Sequence, residues 1–172
     1  MYYQLLEHLP KIPNNMVLKN LRRKEVALYQ KMQEVDHIKK IFPRVAVDSE
    51  LSHWIIENIT SEATSMDIAV TVTKSKSYRM WPHTDSVRLW TLMYLIEHGG
   101  SEHRTVFYKH RDFNFKVESK MNFNYEEVIE VDSIQIPLKT WTIINAHEIH
   151  SVENIPGIRI AFQLGMQNNP WS

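Results

Sequence analysis

Near residue 65 the spacing of apolar residues shortens from about every fourth position to every second. Beyond that point Ile68, Val70 and Val72 alternate with small or polar side chains. RLWTLMYLI (88–96), RTVFY (104–108), FNFKV (113–117), EEVIEV (126–131), IQI (134–136), WTIIN (141–145) and RIAFQL (159–164) then follow at short intervals. A period of two places every other side chain on one face, as a half-buried strand requires. So many short strands in a row predict a β core built from packed sheets. The chain has only four glycines, so its turns must draw on asparagine, aspartate and proline.

Residues 1–60 read as helical. From Asn20 to Lys39 a stripe of Leu21, Leu28, Met32 and Val35 recurs with charges between. A second helix is expected in VDSELSHWIIENIT, with Asp48 and Ser49 as capping residues and Leu51, Trp54, Ile55 and Ile59 on its apolar face. Pro10, Pro13 and Pro43 punctuate the connections. The expected organisation is one domain over 1–172, mainly β with N-terminal helices (α+β). Helices over 1–60 would cover one outer face of a β core over 66–166.

Lysine plus arginine and aspartate plus glutamate each number 20, so no basic stripe points to a nucleic-acid partner and no excess charge to a membrane surface. The N-terminal MYYQLLEHLPK has no signal-peptide pattern, and LWTLMYLI is too short to span a bilayer. A soluble, cytoplasmic protein is the expectation. Cysteine is absent, so any metal must be held by nitrogen and oxygen.

WPHTDSV (81–87) offers such donors. In extended backbone His83 and Asp85 project to one side and Thr84 to the other, giving two members of a two-histidine, one-carboxylate triad. A third ligand must come from a distant strand, and WTIINAHEIHSVENIPGIRIAFQLG supplies His147 and His150. HEIH is one residue short of the helical zinc motif and sits between strand-like segments, so that reading fails. In the last strand Ile158 and Ile160 share one face, and Arg159, Ala161 and Gln163 the other. If the second face is interior, Arg159 is a buried cation in need of an anion.

Taken as an ordered set, H-x-D at 83–85, a histidine about 65 residues on and an arginine nine beyond it resemble the Fe(II)/2-oxoglutarate-dependent oxygenases. HTDSVRLWTLMYLIEHGGSEHRTVFY is similar to their prolyl-hydroxylase-like branch, and the resemblance spans roughly 66–166. It implies a double-stranded β-helix (a jelly roll), with helices on the larger sheet. It also implies Fe(II) on His83, Asp85 and His150, with 2-oxoglutarate and O2 as cosubstrates. Arg159 would bind the distal carboxylate of 2-oxoglutarate, and Tyr94 and Thr91 would face the same pocket. Iron, cosubstrate, Asp85 and Arg159 then cancel in charge. The chain departs from the pattern after Gly99-Gly100, where SEHRT follows.

The implied reaction converts 2-oxoglutarate to succinate and carbon dioxide while hydroxylating an unactivated C–H bond. Asp85 favours hydroxylation over halogenation, which the resemblance associates with a small residue at that position. An amino acid, a peptide side chain or a small metabolite would serve as substrate. Arg88, His98, His103 and His147 are expected at the substrate mouth, with ordinary surface roles as the competing reading. Trp81, Trp90 and Trp141 read as core or rim, and His110 as a loop residue. A cupin-like metalloenzyme without 2-oxoglutarate and a non-catalytic jelly-roll binding protein stay open as alternatives. Nothing in the sequence fixes an oligomeric state.

Overall fold

The computed structural model describes residues 1–24, 26, 44–71, 79–85, 88–118 and 121–172. Its elements run β1 (Tyr3–Leu5), α1 (Asn14–Leu21), β2 (Arg44–Ala46), α2 (Ser49–Asn58), β3 (Ser65–Thr71), β4 (Trp90–His98) and β5 (Arg104–His110). A 3-10 turn (Tyr125–Glu127) then precedes β6 (Val128–Ile134), β7 (Trp141–Asn145), β8 (Ile149–Glu153) and β9 (Arg159–Met166). Six strands form one sheet in the order β1-β7-β4-β9-β3-β2, and three form another, β6-β5-β8. Every pairing of strands within them is antiparallel. The fold is mainly β and compatible with a β-sandwich or jelly roll.

Residue parity assigns the two faces of the larger sheet. Leu92, Tyr94, Trp141, Ile143, Ile160, Phe162 and Leu164 form one buried cluster with Val17 of α1 and with Leu51 and Ile55 of α2. Met93, Leu95, Ile144 and Ala161, one position out of step, cluster with Phe107 of the smaller sheet. The register carries both sets across the sheet: Leu92 lies between Ile143 and Leu164, and Met93 between Thr142 and Gln163. Each fully buried aliphatic side chain contributes roughly 1.5–3 kcal/mol, so both faces reinforce one register. Tyr2 and Tyr3 stack on Phe107 with ring centroids 5.2 and 5.9 Å away.

Asp48 caps α2 as expected, its carboxylate accepting from the Leu51 N–H at 2.9 Å. Asn20 ties α1 to this cap, accepting from the Asp48 N–H at 2.9 Å. The helix expected from Asn20 to Lys39 falls largely outside the described residues. The first 60 residues are not purely helical, because β1 and β2 add short edge strands to the larger sheet. Three-residue strands carry no readable period; pairing with β7 and β3 defines them.

Two expected strands are absent. FNFKV runs through turn and irregular backbone, since β5 is already paired on both sides by β6 and β8. Its Phe115 instead stacks on His110 at 4.0 Å. IQI leaves the sheet after Ile134, and Ile136 is buried in the inter-sheet cluster. Conversely, β8 was hidden in the polar segment IHSVE. No helix among the described residues is long and apolar enough to cross a membrane.

Candidate metal centre

The peptide around His83 is locked to β8 by a reciprocal pair of backbone hydrogen bonds, His83 N–H to His150 C=O and the reverse, both 2.9 Å. That bridge brings together residues 67 positions apart in sequence. The Asp85 N–H donates to the Ala146 carbonyl at 2.9 Å, fixing the other end of the tripeptide. Thr84 points away, and its hydroxyl donates to the Glu118 carbonyl at 2.7 Å. One donor atom from each of His83, Asp85 and His150 then lies within 4.8 Å of the others. The two imidazole centroids are 4.5 Å apart, and His83 Nε2 is 3.8 Å from Asp85 Oδ1.

Hydrogen bonding selects the tautomer that a metal needs. His83 Nδ1 lies 2.9 Å from the Trp81 carbonyl, and His150 Nδ1 lies 2.9 Å from that of Glu148. With both Nδ1 atoms donating, both Nε2 lone pairs are free to coordinate. Burial pushes the His150 pKa down to about 4, aided by His83, so its neutral, ligating form prevails. Nitrogen–oxygen donors in a two-histidine, one-carboxylate set suit a divalent metal such as Fe(II).

Arg88 is not at a mouth. It is buried, and its Nε donates to Asp85 Oδ2 at 2.5 Å while Nη1 reaches Gln163 Oε1 at 3.3 Å. Burial raises the Asp85 pKa, but Arg88, His150 and His83 outweigh it and hold the carboxyl below its usual range. Oδ2 is thereby occupied by Arg88, while Oδ1 faces His83. Nothing in the residue pattern signals this clamp, because residues three apart on extended backbone are expected on opposite sides.

Arg159 is buried at 4% exposure on the face shared with Ala161 and Gln163. Its Nη2 approaches Met93 Sδ at 3.3 Å, and its Nε has no partner. No carboxylate among the described residues pairs with it, and burial alone lowers its pKa to about 10. Thr91 is on the Met93 face and is buried with an unpartnered hydroxyl, as is Thr142. A buried, unmatched guanidinium on the same face of the sheet as unsatisfied hydroxyls fits an anionic, oxygen-rich ligand.

The other expected residues do not join the metal cluster, though His98 pairs with Arg159 across the sheet. Tyr94 belongs to the opposite face, packed on Trp141 with centroids 4.8 Å apart in the helix-side cluster. Successive strand residues alternate sides, so Tyr94 cannot share a pocket wall with Thr91. His103 is buried, with Nδ1 and Nε2 lying 2.9 and 3.1 Å from the Gly100 and Ile136 carbonyls. His98 stacks on it at 4.9 Å. His147 is exposed beside the centre, held only through its backbone N–H, and its ring is outside the cluster. Trp141 is core, Trp90 packs at the rim of the helix-side cluster, and Trp81 is 54% exposed.

No family model matches the chain, and no curated protein matches it. Among solved structures, a Pseudomonas putida prolyl-4-hydroxylase is similar with a TM-score of 0.42 and 10% identity, over 97% of this chain and 93% of that one. That likeness is distant, and the site rests on its own geometry.

Proposed function

We propose that the protein is an Fe(II)- and 2-oxoglutarate-dependent oxygenase that hydroxylates a C–H bond of an amino-acid, peptidyl or small-metabolite substrate. The observation that carries this reading is the pairing of two features. His83, Asp85 and His150 converge with free donor atoms, and the buried guanidinium of Arg159, projecting from the same face of the sheet as Gln163, has no acid of its own. The reading includes a double-stranded β-helix core with α1 and α2 against its larger sheet.

In this reading His83 and His150 present Nε2, and Asp85 presents Oδ1, to one divalent iron. Bound iron supplies the redox chemistry by which O2 and 2-oxoglutarate yield succinate, carbon dioxide and a hydroxylated product. Arg88 keeps Asp85 ionised and fixes its orientation. Arg159 binds the cosubstrate's distal carboxylate by charge-assisted hydrogen bonds, and Thr91 lines the same inner face.

Thermal melting with zinc, a redox-inert stand-in, and 2-oxoglutarate tests the assignment. A ligand at a hundredfold over its Kd adds about 2.7 kcal/mol, or about 5–10 °C for a chain of this size. Zinc should raise the midpoint of wild type but not of His150→Ala. A further rise with 2-oxoglutarate should vanish in Arg159→Ala. Identical midpoints with and without 2-oxoglutarate in both proteins would remove the cosubstrate from the account.

A further inference from the structure

A cavity of about 230 Å³ opens beside the metal cluster, lined by Arg44, Ala69, Val70, Thr71, Met80, His83 and Gln163. His83 is thus a wall shared by the cavity and the metal centre. Arg159 does not itself line the cavity, although its register partner Thr71 does. Arg44 opens β2, the edge strand of the larger sheet, opposite Ala69. Ala69 pairs in turn with Ala161, so Arg44 projects from the same face as Gln163 and Arg159.

The charges facing Arg44 are Arg88, Asp85 and Asp67. Asp85 is committed to Arg88 at 2.5 Å, and neither carboxylate comes within ion-pair distance of Arg44. Gln163 gives its Oε1 to Arg88, which leaves its amide N–H groups without a protein acceptor among the described residues. Two donor groups, one of them cationic, therefore line a cavity whose remaining walls are largely small or apolar. Their complement is a carboxylate.

Charge balance leads the same way. Arg88 neutralises Asp85, a dianionic cosubstrate neutralises a divalent metal and Asp67 offsets one of Arg159 and Arg44, so the assembled centre keeps one positive charge. Size narrows the class further. About 150 Å³ suffices for benzene, so this cavity is large enough for one molecule of amino-acid size.

Building on the oxygenase reading, we propose that this cavity is the substrate subsite and takes a small carboxylate-bearing molecule of free amino-acid size. Its carboxylate is held by Arg44 and the Gln163 amide, and its remainder lies against His83.

Saturation-transfer NMR of the zinc-loaded protein in saturating 2-oxoglutarate tests this, with an equimolar mixture of free L-amino acids compared with the same amino acids as C-terminal amides. Free acids should give signal and the amides none. Arg44→Gln, on an exposed edge strand, should weaken the binding about tenfold or more. Amides that bind as well as acids, an acid mixture that gives no signal, or an Arg44→Gln protein equal to wild type would each overturn the proposal. Displacement of the acids by 2-oxoglutarate would overturn it too, by making the cavity the cosubstrate's. The acid-against-amide comparison needs no variant, so it stands even if Arg44→Gln misfolds. A repeat without metal separates the two claims: Arg44-dependent acid binding in a protein that ignores zinc would keep the subsite and discard the oxygenase.

Discussion

Arg88 bears the most weight of any residue that touches the triad without belonging to it. Its guanidinium holds Asp85 Oδ2, and both side chains are largely buried. Breaking such a pair from one side strands a buried charge, at a cost of about 3–5 kcal/mol. Loss of a partner that orients a metal ligand typically weakens the metal site by about 10–100-fold. Arg88→Met should therefore lower both the urea midpoint and the zinc affinity measured by calorimetric titration. A variant with wild-type zinc affinity would show that Asp85 needs no clamp. Much of the cluster is legible in the sequence, because His83 and Asp85 stand two apart in extended backbone and Arg159 falls on the odd, inward parity of RIAFQL. Arg88 is not, since strand parity would place residues three apart on opposite sides. Tyr94 is a misassignment that parity itself corrects: it and Thr91 cannot face the same side of β4.

Strands β5 and β8 are pinned by a buried carboxylate. Glu153 accepts from Tyr108 at 2.5 Å, and Arg79 and Arg104 approach it at 2.9 and 3.0 Å. Burial raises its pKa, but Tyr108 and the two arginines outweigh this and hold it below the ordinary 4.5. Between that depressed value and 4.5 the unfolded chain binds the extra proton. The stability this group contributes is therefore complete above 4.5 and is lost as pH falls through the folded value. Denaturant midpoints should drop on acidification through that window, and Glu153→Gln should be less stable at pH 7 with a flatter acid limb. An unchanged acid limb in the variant would assign acid sensitivity elsewhere. In α2, Ile55→Ala should cost about 2–5 kcal/mol through the cavity it leaves, and Asp48→Ala about 1 kcal/mol through the lost cap. Both are read from urea unfolding. These elements are legible because burial follows period. FNFKV misleads because its aromatics alternate while β5 has no free edge to receive it, and β8 hides because polar residues are buried on both of its faces, His150 on one and Ser151 and Glu153 on the other.

The molecule as a whole stacks two antiparallel sheets on Phe107, Met93 and Leu95, with the metal cluster where the loop at 79–85 meets β8. A triad alone would describe many metal-binding sandwiches; the unpaired cation among the inward-facing residues is what led us to propose a centre that also takes an anion. Under the proposed function the triad and Arg159 act together, since 2-oxoglutarate would be held by the metal at one end and Arg159 at the other. Calorimetric titration of 2-oxoglutarate into zinc-loaded and zinc-free protein tests that coupling most directly. Tight binding with zinc, at least about tenfold weaker without it and similarly weakened in zinc-loaded Arg159→Ala, is the predicted result. Equal affinity in all three samples would contradict it.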